Sequence, residues 1–284
     1  MTGLVVEGGA SRTYFAVGVM DAMMEAGIEI DYIGGASAGI ANALSYATGQ
    51  KGRSIEIGTK HLPLKVYSGF RHFLNPKNRS LYNIKYVFDT IPNELVPFDY
   101  EKFDNYKGVA EAAVTNVETG KCEYIPIKDT SKGWEVIVAS CSLPLMFPIV
   151  NLSGKKYLDG GIADAVPFKR ALDAGCDKVI VILSRERTYC KPESKSEKIT
   201  SRLFGKYPEF SKALKNRSNM YNAQREELFR LEKEGKAFVI APEDTTGWKR
   251  TENNPEKILA MYEEGYKAGI NSIEKIKNFK GSAL

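Results

Sequence analysis

Gly35-Ala36-Ser37-Ala38-Gly39 is the stretch whose residue types and spacing could do chemistry. The run Ile30-Asp31-Tyr32-Ile33 ends abruptly in small residues, and Ala41-Asn42-Ala43-Leu44 then favours a helix, so the segment reads as strand, sharp turn, helix with Ser37 at the apex. The pattern is G-x-S-x-G, in which a strained turn lifts a serine hydroxyl above a sheet. Small neighbours let strand and helix close in on each other. A helix beginning near Ala38 points free amides and its positive dipole end at the same place, which favours an alkoxide and a developing oxyanion. Ser37 is therefore the candidate nucleophile.

Its base has to come from a short inventory. Only two histidines exist, His61 and His72, both in a stretch rich in lysine, proline and aromatics rather than after a strand where an acyl-transfer base is usually mounted. Lys156-Tyr157-Leu158-Asp159-Gly160-Gly161 puts an acid at a strand end instead. Asp-Gly-Gly alone is an ordinary turn, but the shortage of imidazole makes Asp159 the candidate proton acceptor, with Asp164 its rival. The same shortage argues against a zinc site. Cys122, Cys141, Cys176 and Cys190 lack C-x-x-C spacing and read as reduced structural thiols. No metal and no other cofactor is expected.

The elements that must position these groups follow from pattern. Residues 3–7 read as a buried strand, Glu7-Gly8-Gly9-Ala10-Ser11-Arg12 as a glycine-rich loop and residues 13–26 as a helix. Two successive strand-loop-helix units imply a parallel sheet with both loops at its C-terminal edge, so this loop should face Ser37. Amides at Gly8, Gly9 and Ala10 can then nest negative charge, with Arg12 adding a cation. A nucleotide-phosphate loop or a plain turn is the alternative. Neither G-x-G-x-x-G nor G-K-S/T is present, which favours the oxyanion role.

Further along, residues 49–106 read as short helices and loops covering the site, 109–115 and 121–127 as paired strands, and 134–140 as a helix or a buried strand. A helix over 168–174, a buried strand over 178–183, a polar helix over 217–234, a strand over 237–241 and a closing helix over 255–277 complete the order. Ile258, Met261, Tyr262 and Tyr266 form the expected inner face of that last helix. Residues 184–217 break the alternation, with net charge +6 against +5 for the whole chain. Attraction to an anionic membrane surface is one reading of this basic insertion; an insertion that packs its apolar side and solvates its lysines is the other. No nucleic-acid module accompanies the charge. With no apolar run near the ~18 residues that span a bilayer and no leader, a single domain over 1–284 in the cytoplasm is expected, peripheral at the inner membrane face at most.

Taken in order, Glu7 to Arg12, Gly35 to Gly39 and Asp159-Gly160-Gly161, with Ala139-Ser140, Pro144 and Phe147-Pro148 ahead of the last, resemble the patatin-like phospholipase family over roughly residues 3–183. The resemblance implies an α/β three-layer sandwich with a mostly parallel central sheet. It also implies a Ser37-Asp159 dyad, no metal, and hydrolysis of acyl-ester lipids, with Gly8, Gly9, Ala10, Arg12 and Ala38 at the oxyanion hole. Ala10 departs from the family's third glycine, and a methyl there costs about 1 kcal/mol if φ must be positive. Two rival functions use the same residues: a soluble esterase or thioesterase, and a catalytically idle lipid- or nucleotide-binding protein. The sequence does not specify an oligomeric state.

Overall fold

All five residues of β1 (Thr2–Val6) are buried, because the strand has a helical layer on each face. The computed structural model describes residues 1–76, 78–127 and 134–281. Side chains alternate about the sheet. Leu4 and Val6 of β1, with Ile180 and Ile182 of β7 (Lys178–Ile182), join a core made with α1 (Tyr14–Glu25), α2 (Ala38–Ala47) and α9 (Pro255–Gly281). Val5, Val179 and Val181 point the other way, onto α6 (Phe168–Asp173) and α8 (Pro208–Lys233) through Phe168, Ala171, Tyr221 and Leu228. Two helical layers around one sheet make the three-layer α/β sandwich.

Among the described residues the sheet has eight strands. β2 (Tyr32–Ala36), β3 (Val109–Asn116) and β8 (Ala237–Ile240) run parallel with β1 and β7, giving the order β3-β2-β1-β7-β8. β4 (Cys122–Pro126) and β6 (Lys155–Asp159) each pair antiparallel with β3, and β5 (Val150–Leu152) pairs antiparallel with β6. Register on β3 decides the site. β2 covers Val109 to Ala113 and β4 covers Glu111 to Thr115, so these two occupy opposite edges of β3. β6 covers Val114 to Asn116, overlapping β4, and must lie on the edge that β2 has just vacated. Ala36 ends opposite Ala113 and Asp159 ends opposite Val114, so the two strands meet tip to tip.

Most expected elements are present within a residue or two, and the 134–140 alternative resolves as helix α5 (Glu135–Cys141). Three differences have physical causes. The polar helix starts at Pro208, nine residues earlier than read, because proline in the first turn lacks only an N–H that would be unpaired there anyway. Residues 184–217 hold α7 (Lys195–Leu203) and the start of α8; Phe210 and Leu214 pack on Val117, Leu158 and Ile162, while Ile199 and Leu203 stay exposed. The inner face of α9 is Ile258, Met261, Gly265, Gly269, Ile273 and Ile276, with Tyr262 and Tyr266 on its flank donating to Asp21 and Glu25. Among the described residues no helix is long and apolar enough to cross a membrane.

Glycines let α9 lie directly against α1. A methyl on Gly265 would sit 1.9 Å from the Phe15 carbonyl oxygen, and one on Gly18 2.0 Å from that of Tyr262. Helix propensity alone makes Gly265→Ala stabilising by about 1 kcal/mol; the clash makes it destabilising by about 1–3 kcal/mol. Thermal denaturation should show a lowered midpoint, and an unchanged or raised one would contradict this packing.

Candidate active site

The turn between β2 and α2 holds Ser37 at φ 55° and ψ −136°, a backbone conformation unfavourable for any residue with a side chain. Close approach enforces it. A methyl on Gly39 would come within 2.4 Å of the Val6 carbonyl oxygen, so α2 can start against β1 only with glycine at that position. The Ser37 amide donates to Ser140 Oγ at 2.9 Å, and that hydroxyl donates onward to the Ala113 carbonyl at 2.7 Å. Ser140 thereby fastens the apex of the turn to β3.

Asp159 stands at the tip of β6, fixed by its own main chain. Its amide donates to Ser142 O at 2.8 Å, and its carbonyl accepts from Thr115 Oγ1 at 2.8 Å. In the side chain, Oδ1 accepts from the Gly161 amide at 2.8 Å. Oδ2 is buried with no hydrogen-bond partner among the described residues. Burial raises the Asp159 pKa above its ordinary value, against the lowering pull of Arg217, the adjacent Ser37 hydroxyl, the Gly161 amide and Arg250. Ser37 thus influences the carboxylate without closing an aligned hydrogen bond to Oδ2; catalytic contacts are often loose before substrate binds. Cys141 also lies beside Ser37, its thiol pKa raised by burial.

Asp164 and both histidines are occupied elsewhere. Asp164 accepts from Tyr124 at Oδ2 and from Gln224 at Oδ1, both at 2.5 Å. His61 shares a hydrogen bond with Tyr86, and His72 faces the Lys65 carbonyl. Neither histidine lines a cavity at Ser37.

Gly8 is packed on the serine turn: a methyl there would lie 2.7 Å from Ala36 O and 3.1 Å from Ser37 Cβ. The Gly8 and Gly9 amides have no acceptor among the described residues, and the Ala38 amide, first in α2, lacks an intrahelical one. Ala10 adopts φ 50°, the left-handed region in which its methyl is a penalty. The chain tolerates this because residues 248–252 strap the loop. Arg12 Nε donates to Trp248 O at 3.1 Å, Ser11 N to Arg250 O at 3.0 Å and Ser11 Oγ to Glu252 O at 2.7 Å. From below, Glu7 accepts from the Ser184 amide and Tyr221 Oη, each at 2.7 Å. The sequence reading missed Ser140 as the anchor of the turn and the whole 248–252 strap; Ala139-Ser140 was visible only as part of the resemblance, and the strap carries no local signal.

Two cavities meet at this turn, and among the described residues Ser37 is the one that lines both. The larger, about 260 Å³, is walled by Tyr14, Leu62, Phe88, Ile91, Ile137 and Phe147 among others, and polar surface is the minority of its lining. The smaller, about 70 Å³, contains Asp159 and is ringed by cations. Among the described residues no group of His, Cys, Asp and Glu could hold a metal ion.

The patatin-like phospholipase family matches residues 4–172, and a domain of unknown function (DUF6363) matches residues 207–281. The uncharacterized protein YjjU of Escherichia coli K12 is 29% identical over 190 residues, covering 63% of this chain and 50% of that one. Lysophospholipase NTE1 of Meyerozyma guilliermondii is 27% identical over 180 residues, 63% of this chain and 12% of its own. The NTE1 of Scheffersomyces stipitis is 25% identical over 287 residues, 96% of this chain and 18% of its own. The chain thus spans half or less of the curated relatives it matches. Crystalline VipD from Legionella pneumophila aligns over 96% of this chain and 67% of its own, with TM-score 0.48 and 14% identity.

The backbone of Ser37 makes a prediction independent of any activity. Ser37→Gly and Ser37→Ala both remove the hydroxyl, but only glycine accepts φ 55°, so the glycine variant should be the more stable by about 1–2 kcal/mol. Denaturant titration of the pair measures it. Equal stabilities, or a more stable alanine variant, would mean that the turn carries no strain.

Proposed function

We propose, since this chain belongs to the patatin-like phospholipase family, that it is a lipid acyl hydrolase in which Ser37 attacks the ester carbonyl and Asp159 takes its proton. The observation that carries this reading is the position of Ser37: it is shared by an apolar chamber and by the recess that holds Asp159. An acyl chain fills the chamber. As the Ser37 Oγ bond to the carbonyl carbon forms, the proton passes to Asp159, and the oxyanion is received by the amides of Gly8, Gly9, Ala10 and Ala38 with Arg12 nearby. Collapse breaks the bond to the alcohol oxygen, Asp159 returns the proton to it, and water then releases the acyl group by the same steps in reverse order.

An exposed aspartate is a weak base at neutral pH. Burial of Asp159 supports the role, because a raised pKa brings the carboxylate nearer the strength that proton transfer needs. Lysophospholipase is the activity in the names of the NTE1 relatives, which favours phospholipid or lysophospholipid esters over soluble ones in the same reading. We place the protein in the cytoplasm as one domain. The basic segment 184–217, with Ile199 and Leu203 exposed on α7, makes peripheral contact with anionic lipid in this reading.

Ser37→Ala and Asp159→Asn should each lower hydrolysis of a p-nitrophenyl acyl ester by at least about a thousandfold. The reactive form of Asp159 is the carboxylate, so kcat/KM should rise with pH through its pKa, with an acid limb above 3.8, the ordinary value. Most of the activity surviving in either variant would refute the dyad, and a limb at or below the ordinary value would refute the buried base. Vesicles containing anionic phospholipid should accelerate hydrolysis relative to neutral vesicles; equal rates would remove the membrane role of 184–217.

A further inference from the structure

Five cations, Arg12, Arg185, Lys191, Arg217 and Arg250, line the recess on the Asp159 side of Ser37. Three of them are largely withdrawn from water: Arg185, Lys191 and Arg217 keep 17%, 21% and 15% of their side-chain surface. Carboxylates do not match them one for one. Glu197 is shared between Lys191 at 3.4 Å and Arg217 at 3.1 Å, and Glu186 pairs with Arg185 at 3.0 Å. Among the described residues, Arg12 and Arg250 make no ion pair. Of the two acids lining the recess, Glu7 spends both oxygens on Ser184 and Tyr221, and Asp159 is the proposed base. Arg185 Nε is a buried donor with no acceptor among the described residues.

The cations also oppose one another. Arg12 is lowered in pKa by burial, Arg185 and Arg250, and Lys191 by burial, Arg217 and Arg250; Arg250 keeps an exposed surface, yet crowding by protein and by Arg217 lowers it too. Mutual repulsion of this kind is relieved by an anion. Its place in the reaction follows from proton transfer. Asp159 must return the proton to the departing alcohol, so the alcohol half of the ester sits on the Asp159 side, among these cations.

We infer that the recess is a head-group subsite for a phosphate carried by the alcohol half of the ester, built largely by residues 185–250, and that it favours a phosphomonoester over a zwitterionic head group. This rests on the acyl-hydrolase reading and adds the part of the substrate that reading leaves open. Four of the five cations, Arg185, Lys191, Arg217 and Arg250, lie outside the matched segment 4–172, and two of them lie within 207–281. A choline ammonium would find no partner here. The guanidiniums of Arg185 and Arg225 lie 3.8 and 5.6 Å from the centres of the Tyr189 and Tyr221 rings, so both aromatic faces already carry a cation; Glu7 has both oxygens engaged, and Asp159 is the proposed base.

The test compares kcat/KM for three esters of one acyl chain presented in the same neutral detergent: 1-acylglycerol 3-phosphate, 1-acylglycerophosphocholine and 1-monoacylglycerol. The phosphomonoester should lead the monoacylglycerol by about tenfold or more, with the zwitterion between them, and Arg250→Gln should reduce that ratio several-fold. Glycerol 3-phosphate should inhibit the unaltered enzyme competitively and bind the Ser37→Ala variant in calorimetry, more tightly than inorganic phosphate. Equal rates on all three esters would overturn the subsite while leaving acyl hydrolysis standing. So would an Arg250→Gln variant that moves the acid limb for every ester alike without changing the ratio, because the cations would then serve Asp159 alone. Inorganic phosphate binding as tightly as glycerol 3-phosphate would make this a free-anion site rather than a head-group site. Hydrolysis of none of the three would remove the acyl-hydrolase reading and this inference with it.

Discussion

One edge of β3 carries two strands in succession, and the site depends on that arrangement. β2 runs parallel to β3 and stops at Ala36; β6 runs antiparallel and stops at Asp159, one register position further on. Main-chain hydrogen bonds on a shared partner therefore bring together two residues separated by more than a hundred positions. A ladder fixes position more firmly than side-chain packing does, since a slip of one residue would turn every side chain to the opposite face. Ser140 and Gly160 complete the junction at the Ala113 carbonyl, the first by donating to it and the second by leaving room for it.

Holding these groups in place carries local penalties that the surroundings offset. Ser37 and Ala10 both have positive φ, and Asp159 keeps out of water a carboxylate oxygen with no hydrogen-bond partner among the described residues. Such departures from local preference collect at functional sites, where the rest of the fold over-determines the geometry. Much of that over-determination comes from the C-terminal third of the chain. Carbonyls of Trp248, Arg250 and Glu252 hold the glycine-rich loop, Tyr221 and Ser184 hold Glu7 beneath it, and Arg217 Nε donates to Gly161 O at 2.7 Å. Residues beyond the segment matched by the family are thus part of the site's framework.

How much of this was legible in the sequence depended on whether the signal was local. The strands at 3–7 and 178–183 and the turn at Ser37 stood out because burial on both faces and close backbone approach select residues within a few positions of one another, whereas the acid before Gly160 stood out only against the shortage of imidazole. β5 escaped notice, being three residues long. Pro208 opens α8 nine residues ahead of the expected start, and of the four residues read as the inner face of α9, Ile258 and Met261 lie on it while Tyr262 and Tyr266 flank it, with Gly265 and Gly269 packing in between. Nothing near Arg185, Lys191, Arg217 or Arg250 in the sequence marks them as neighbours. They converge only after β7, α8 and the 248–252 strap are assembled. The basic character of 184–217 was visible, but its partial direction inward to the recess was not.

The central claim is that the Ser37 hydroxyl is activated by Asp159 without imidazole. Reaction with a fluorophosphonate probe, followed by peptide mass spectrometry, tests it most directly, because covalent capture requires an activated nucleophile and needs no knowledge of the substrate. The account predicts a single adduct on Ser37 in the unaltered protein, its formation slowed severely by Asp159→Asn and little affected by replacing His61 and His72. An unlabelled Ser37, or labelling that persists in Asp159→Asn and fails when a histidine is replaced, would contradict it.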